Sequence, residues 1–403
     1  MLKKPIINTL VQVVAKGIMV LLSLVTTAIL TRKLGVTIYG NYMLITSVFL
    51  LFDSLADFGT KVIGVREASR LEGEERKRKY IEIAWFRLIT SLLAGLLGLG
   101  LIIFWSGFRE VRMEALVALI MIVFTATAGS LEIIFQTEMK MERKVLVDIL
   151  FPLIFLATLI WWNTSINLMW VMLVYLLARI ISLGVGIGVV KKMLGKLSLK
   201  IKDVNFWKGF LKESWPMGIY MILFSGYDRA VDSALIKQFI GVEQLAFYAL
   251  AYKIYGNLIQ PAYFLVNSIF PLMSDKKTNK KSLFWKSSGL MLVGILLIFP
   301  LIFILAPWII NVLAGVSFEP SVMILRILLV AMVFAYISHL VGFTVIARGG
   351  QKQILKIGIV SLLVNVVGNL IFIPSFGIVG AAWTTVVTEA VASILMIIAL
   401  KRQ

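Results

Sequence analysis

Runs of about twenty apolar residues recur along the whole of this 403-residue chain. Each is long enough to cross a bilayer core of about 30 Å as a helix. Inside hydrocarbon every backbone N–H and C=O needs a partner within the protein, so only helices and closed barrels can span it. The runs are continuous rather than alternating, which excludes a barrel. Only 15% of the residues are charged and 60% are hydrophobic, whereas soluble domains carry about a quarter charged residues. The chain is expected to be an all-α, polytopic membrane protein.

Charge clusters and Gly, Pro or Asn divide the runs into about 12 transmembrane helices, near 7–30, 39–61, 80–105, 114–136, 145–162, 167–190, 213–238, 244–271, 284–306, 320–346, 353–373 and 378–400. The first run follows Lys3 and Lys4, extends to about Leu30 and shows no small-x-small cleavage site. It reads as a retained span rather than a signal peptide.

The connections alternate in charge. Of the 40 Lys and Arg, 28 fall at the termini and in the stretches Arg66 to Lys79, Lys140 to Lys144, Lys191 to Lys212, Lys276 to Lys286 and Arg348 to Lys356. Only 5 fall on the opposite side (Arg32, Lys33, Arg109, Arg112 and Lys237), and the other 7 lie within spans. Short basic loops stay cytoplasmic, so the chain is expected in the cytoplasmic membrane with both termini on the cytoplasmic side. Topology and attraction to membrane lipids then account for the net charge of +19, and nucleic acid is not an expected partner.

No enzyme constellation is visible. Cysteine is absent and there is one histidine, so thiolate chemistry, cysteine metal sites and a convincing Ser-His-Asp arrangement are all excluded. There is no P-loop, and the short outer loops leave little room for a membrane glycosyltransferase or glycan polymerase. The expectation is a non-enzyme with no cofactor and no metal.

The longest basic loop, Lys191 to Lys212, divides the spans six and six. Each half carries a similar phrase near its second helix, LGVTIYGNYMLI (34–45) and IGVEQLAFYALA (240–251). Gly35 matches Gly241, and Tyr42 matches Tyr248. Repeated bundles with a site at their interface are a transporter signature. The expected organisation is an N-terminal lobe 1–190, a cytoplasmic linker 191–212 and a C-terminal lobe 213–403.

At these residues the chain resembles the polysaccharide-export flippases of the MOP superfamily, relatives of lipid II flippases and MATE exporters. TRKLGVTIYGNY and LADFGTKVIGVREASR are similar to the family's first connection and second helix. YDRAVDSALIKQFIGVEQLAFYALAYKI is similar to its seventh and eighth helices. IARGGQKQ and NVVGNLIFIPSFGIVGAAWTTVVTE are similar to its last two. Ala246 departs from the pattern, standing where the repeated phrase usually has glycine. The resemblance implies two six-helix lobes forming a V-shaped central cavity. It also implies transfer of a polyprenyl-diphosphate-linked oligosaccharide from the inner to the outer leaflet, alongside polysaccharide-assembly proteins. The alternative within the superfamily is a cation-coupled small-molecule exporter.

Ionisable groups within spans are costly and normally face a cavity or a partner. Asp53, Asp57 and Lys61 recur every fourth residue and would share one helix face. Asp53, the deepest, is a substrate-cleft candidate, while Asp57 and Lys61 read as fastening the second helix to the inner loop. Asp228, Arg229 and Asp232 crowd two turns of the seventh helix; an intra-helix ion pair accounts for them, and the second carboxylate left over against one Arg would suit a coupling ion, H+ or Na+. Lys253, Asn257 and Gln260 form a polar stripe on the eighth helix, flanked by Tyr252, Tyr255 and Tyr263. Lys16 and Lys253 are the expected phosphate contacts, with a stabilising carboxylate pair as the alternative, because a point cation suits a diphosphate. His339 reads as a satisfied core histidine, with a proton relay as the alternative. Gly184 and Gly188, a G-x-x-x-G pair, read as a helix-packing face. Arg87, Glu132, Arg179, Arg326 and Glu389 read as structural.

Overall fold

The computed structural model describes residues 3–162, 166–195, 205–225, 230–274 and 279–402. Among them are helices α1 (Lys3–Asp57), α2 (Thr60–Ser69), α3 (Gly73–Phe104), α4 (Arg112–Thr137), α5 (Met141–Trp161) and α6 (Leu168–Leu194). These are followed by α7 (Asn205–Ser225), α8 (Val231–Ile240), α9 (Val242–Ser274), α10 (Lys280–Ala314), α11 (Ser321–Ala347) and α12 (Gln351–Lys401). No strand occurs among the described residues, and 8 of the helices are long and apolar enough to cross a membrane. Large apolar side chains such as Leu21, Leu96, Leu97 and Ile304 stand exposed on their surfaces, as a lipid-facing exterior requires. The chain is an all-α, polytopic membrane protein.

Two helices are double. At a rise of about 1.5 Å per residue, α1 with 55 residues and α12 with 51 far exceed one bilayer core. Each is broken once, at Gly35 (φ 71°, ψ −178°) and at Gly377 (φ 62°, ψ −144°). The expected first and last pairs of spans therefore meet at these two residues. Gly241, between α8 and α9, has φ 95° and ψ 172°. Gly35 and Gly241 thus share a backbone conformation that only glycine adopts freely, at matching positions of the repeated phrase. Ala246 is buried and leaves the start of α9 intact, with Leu245 N–H bonded to the Gly241 carbonyl. Its counterpart Gly40 has no such latitude, because a Cβ there would strike the Val242 carbonyl. A second repeat shows only in the structure: 3-10 turns at Ser106–Phe108 and Val316–Phe318 precede α4 and α11, each burying its phenylalanine.

The chain forms two compact units, Met1–Leu34 with Ile45–Ser225, and Gly35–Leu44 with Gly226–Gln403. This differs from the sequence-based division: α7 belongs to the first unit instead of opening the second lobe, and Gly35–Leu44 belongs to the second. The expected seventh span, 213–238, is described over parts of α7 (Asn205–Ser225) and α8 (Val231–Ile240); residues 226–229 lie outside the described residues.

In the first unit, α2, α3, α4, α6 and α7 share a core that includes Ile63, Ile83, Phe86, Phe135, Leu183 and Phe210. The Lys33 ammonium donates to the Leu159 and Trp162 carbonyls at 3.0 and 2.8 Å, capping the end of α5 where the helix dipole favours a cation. In the second unit α11 lies between α9 and α12. Tyr336 donates to the Leu258 carbonyl and Ser393 to the Phe334 carbonyl, at 2.9 and 2.8 Å. Tyr39 is fully buried and meets Phe318 edge-on, which seats the Gly35–Leu44 stretch in this unit.

The join between α1 and α2 is tightly specified. Phe58 and Gly59 have φ of 42° and 74°, and a Cβ on Gly59 would press on the backbone at Ser214 and Gly218. Gly59→Ala combines positive-φ strain, about 1–3 kcal/mol, with that collision. It is expected to reduce the yield of monodisperse protein by fluorescence-detected size exclusion, more than Gly73→Ala, where φ is also positive but a Cβ meets nothing within 4 Å.

Candidate functional site

The break at Phe58 and Gly59 changes the reading of the acidic stretch in the first unit. Asp53 and Asp57 share the last turns of α1, but Lys61 lies beyond the break in α2. A continuous helical stripe through Asp53, Asp57 and Lys61 is therefore absent. Asp57 instead turns into the protein and accepts from Arg87 Nη1 of α3 at 2.5 Å. Arg87 is 1% exposed. Its Nε donates to the Ala126 carbonyl at 3.1 Å and its Nη1 also reaches Thr60 Oγ1. Gly129 makes room for the guanidinium, because a Cβ there would overlap Nη2. This cluster joins α1, α2, α3 and α4.

Lys61 faces Glu132 of α4 at 3.8 Å. Lys144 bridges Glu132 and Asp148 at 3.3 and 2.6 Å. The reading of Asp57 and Lys61 as fasteners is thus met by partners in α3 and α4 rather than in the inner loop. Asp53 is half-buried, and its side chain has no hydrogen-bond partner among the described residues. Lys16, the other candidate of this unit, is exposed.

In the second unit, Lys253, Asn257 and Gln260 are all half-buried along α9. Asn257 Nδ2 is buried with no hydrogen-bond partner among the described residues, and Gln260 reaches only the Gly256 carbonyl at 3.5 Å. Tyr248, Tyr252 and Tyr255 form a ladder of rings beside the stripe, with centroids 5.6 and 5.2 Å apart. His339 Nδ1 lies 2.7 Å from the Ala335 carbonyl. A carbonyl only accepts, so Nδ1 carries the proton and is satisfied within its own helix.

Asp232, at the start of α8, is 1% exposed. Its carboxylate accepts from Tyr248 at 2.5 Å and from Asn369 Nδ2 of α12 at 2.6 Å. Asn365 Oδ1 is 3.3 Å from the same amide, and Thr385 Oγ1 is 3.1 Å from the tyrosine oxygen. Asn369 Oδ1 is buried and has no hydrogen-bond partner among the described residues. Asp228 and Arg229, the other members of this expected constellation, lie outside the described residues. Asn365 and Asn369 of α12 stand in the NVVGN motif, but the sequence reading gives them no role, although, four apart within an apolar run, they share a helix face. No cluster of three His, Cys, Asp or Glu suited to a metal ion occurs among the described residues.

Two solved structures share this fold. One is an inward-facing multidrug resistance MATE family transporter of the MOP superfamily, at 16% identity, covering 95% of this chain and 93% of that one with a TM-score of 0.80. The other is the lipid II flippase MurJ in an inward closed conformation, at 14% identity, covering 96% and 87% with a TM-score of 0.83. An uncharacterized membrane protein of Methanocaldococcus jannaschii is 27% identical over 225 residues, 53% of this chain and 43% of that relative. The chain thus matches less than half the length of that curated relative. The family model for polysaccharide biosynthesis proteins matches residues 6–277, and the chain therefore belongs to the polysaccharide biosynthesis protein family.

Proposed function

We propose that the chain is an alternating-access flippase. It moves a polyprenyl-diphosphate-linked oligosaccharide from the inner to the outer leaflet of the cytoplasmic membrane, with both termini cytoplasmic. The observation that carries this reading is membership of the polysaccharide biosynthesis family in a chain with the fold of a lipid II flippase. The polar stripe of α9 supports it. A half-buried Lys253 beside an unsatisfied Asn257 amide offers charge and hydrogen bonds to a diphosphate that has left the headgroup region, where an uncompensated charge is costly. Lys16, Asp53 and Arg229 are the other proposed substrate contacts.

Coupling to H+ or Na+ is assigned to Asp232 with Asp228. The Asp232 carboxylate, Asn365 Oδ1 and the unsatisfied Asn369 Oδ1 present oxygen ligands, the donor type that hard cations take.

Reconstitution tests the substrate. Full-length protein in liposomes is expected to speed reorientation of a fluorescent lipid-linked oligosaccharide. Lys253→Ala is expected to cut that rate at least about tenfold, the worth of one lost charge-assisted contact, and Lys253→Arg to retain part of it. Export of lipophilic cations with no movement of the lipid-linked glycan would favour the exporter reading instead.

A further inference from the structure

A basic pocket in the first unit lies apart from every residue assigned above to transport. Helix α4 ends at Thr137 and α5 begins at Met141. The reversal between them is tight: Met139 takes a left-handed φ of 55°, and the Lys140 N–H closes on the Phe135 carbonyl at 2.8 Å. This turn sets Lys140 and Arg143 beside the end of α6, where Lys192 completes a cavity of about 560 Å³. None of these three cations forms an ion pair with a carboxylate among the described residues. Glu138, on the same wall, is already engaged by Arg76 at 3.3 Å and by the Tyr80 hydroxyl at 2.8 Å. The pocket is therefore net positive.

Its other wall is apolar. Leu146 of α5 and Val189, Met193 and Leu194 of α6 line it, and Leu146 is 68% exposed. Beyond the pocket α6 carries an uncovered stripe. Gly188 lies one turn before Lys192 and Gly184 two turns before it, on one helix face. Both glycines are exposed, and a Cβ built at either meets nothing within 4 Å. The G-x-x-x-G pair thus does not serve the close helix packing among the described residues that the sequence suggests. A cluster of cations at the basic end of the helices, with an exposed apolar stripe running from it along α6, is amphiphilic in the same sense as a phospholipid.

We propose that this pocket binds one anionic phospholipid. The phosphodiester would sit among Lys140, Arg143 and Lys192, with an acyl chain along Gly184 and Gly188. Basic pockets between transmembrane helices take anionic headgroups by this chemistry, and the apolar wall of Leu146, Val189, Met193 and Leu194 favours a lipid over a free phosphate ion.

Native mass spectrometry of the full chain released from nanodiscs tests this, using phosphatidylglycerol and phosphatidylcholine of identical acyl chains. Retention of phosphatidylglycerol over phosphatidylcholine is expected. Lys140→Gln, Arg143→Gln and Lys192→Gln together should weaken it on the order of 100-fold, with each alone costing about fivefold. Lys140→Arg with Lys192→Arg should keep it, and Gly188→Leu should weaken it by occupying the stripe along which the acyl chain would lie. If the triple variant is not monodisperse, the single variants carry the reading. Equal retention of the two lipids, or unchanged retention in the charge-neutralised variants, overturns the proposal. Displacement by millimolar inorganic phosphate would assign the pocket to a free anion, and a dimer abolished by Gly188→Leu would assign the glycine stripe to a second copy; either also overturns it. Transport is not measured, so failure here leaves the flippase reading untouched.

Discussion

Replacing Arg87 by alanine is expected to remove most folded protein from the membrane. Among the described residues, the variant strips Asp57, a residue 6% exposed, of its ion-pair partner and leaves the Ala126 carbonyl and Thr60 hydroxyl facing a void. Breaking a buried pair by removing one partner costs about 3–5 kcal/mol, because the remaining charge stays buried without compensation. The loss falls where α1, α2, α3 and α4 meet, so no peripheral helix can fray to absorb it. Gly129→Ala is expected to act in the same direction by pushing a methyl into the guanidinium. Arg87→Met with Asp57→Leu removes both charges at similar volume and is expected to recover much of the loss, since apolar replacement of a whole buried pair is often neutral or better. Thermal midpoints of detergent-purified protein measure all three. A wild-type midpoint for Arg87→Ala would mean that this pair does not hold the first unit together.

The same residues show where the sequence was readable and where it was not. Apolar run length and loop charge depend on short windows, so the all-α class and the spans could be read without a structure. The repeated phrase also resolved, because Gly35 and Gly241 carry a backbone demand that only glycine meets easily. The face shared by Asp53, Asp57 and Lys61 could not be read, because it assumed an unbroken helix. Phe58 and Gly59 break it through contacts with α7, some 155 residues further along the chain. Partner choice was likewise hidden. Periodicity marks Arg87 and Glu132 as charges within spans, but only packing decides that Arg87 meets Asp57 and that Glu132 is shared by Lys61 and Lys144. The Asp232 cluster draws on α8, α9 and α12, a long-range assembly for which a linear sequence gives only separate polar hints inside apolar runs.

Asp232→Asn is expected to uncouple transport from an ion gradient while sparing the fold. The substitution keeps side-chain volume and removes the charge. Asn369 can turn its amide so that Oδ1, now unsatisfied, accepts from the new side-chain N–H, and the Tyr248 hydroxyl can still donate to the remaining oxygen. The contacts to Tyr248 and Asn369 are therefore retained, and what disappears is the negative charge that would attract H+ or Na+. In liposomes under an imposed Na+ or proton gradient, the native protein is expected to flip its lipid-linked substrate faster than without one. Coupling between two sites is typically worth about 1–3 kcal/mol, or roughly 5- to 150-fold, and Asp232→Asn is expected to erase that increment while the ungraded rate persists. Asn369→Ala removes one oxygen ligand but not the charge, so it should raise the ion concentration needed for half-maximal stimulation rather than abolish the response. A full gradient response in Asp232→Asn would show that this buried carboxylate ties α8 to α9 and α12 and does not carry the coupling ion.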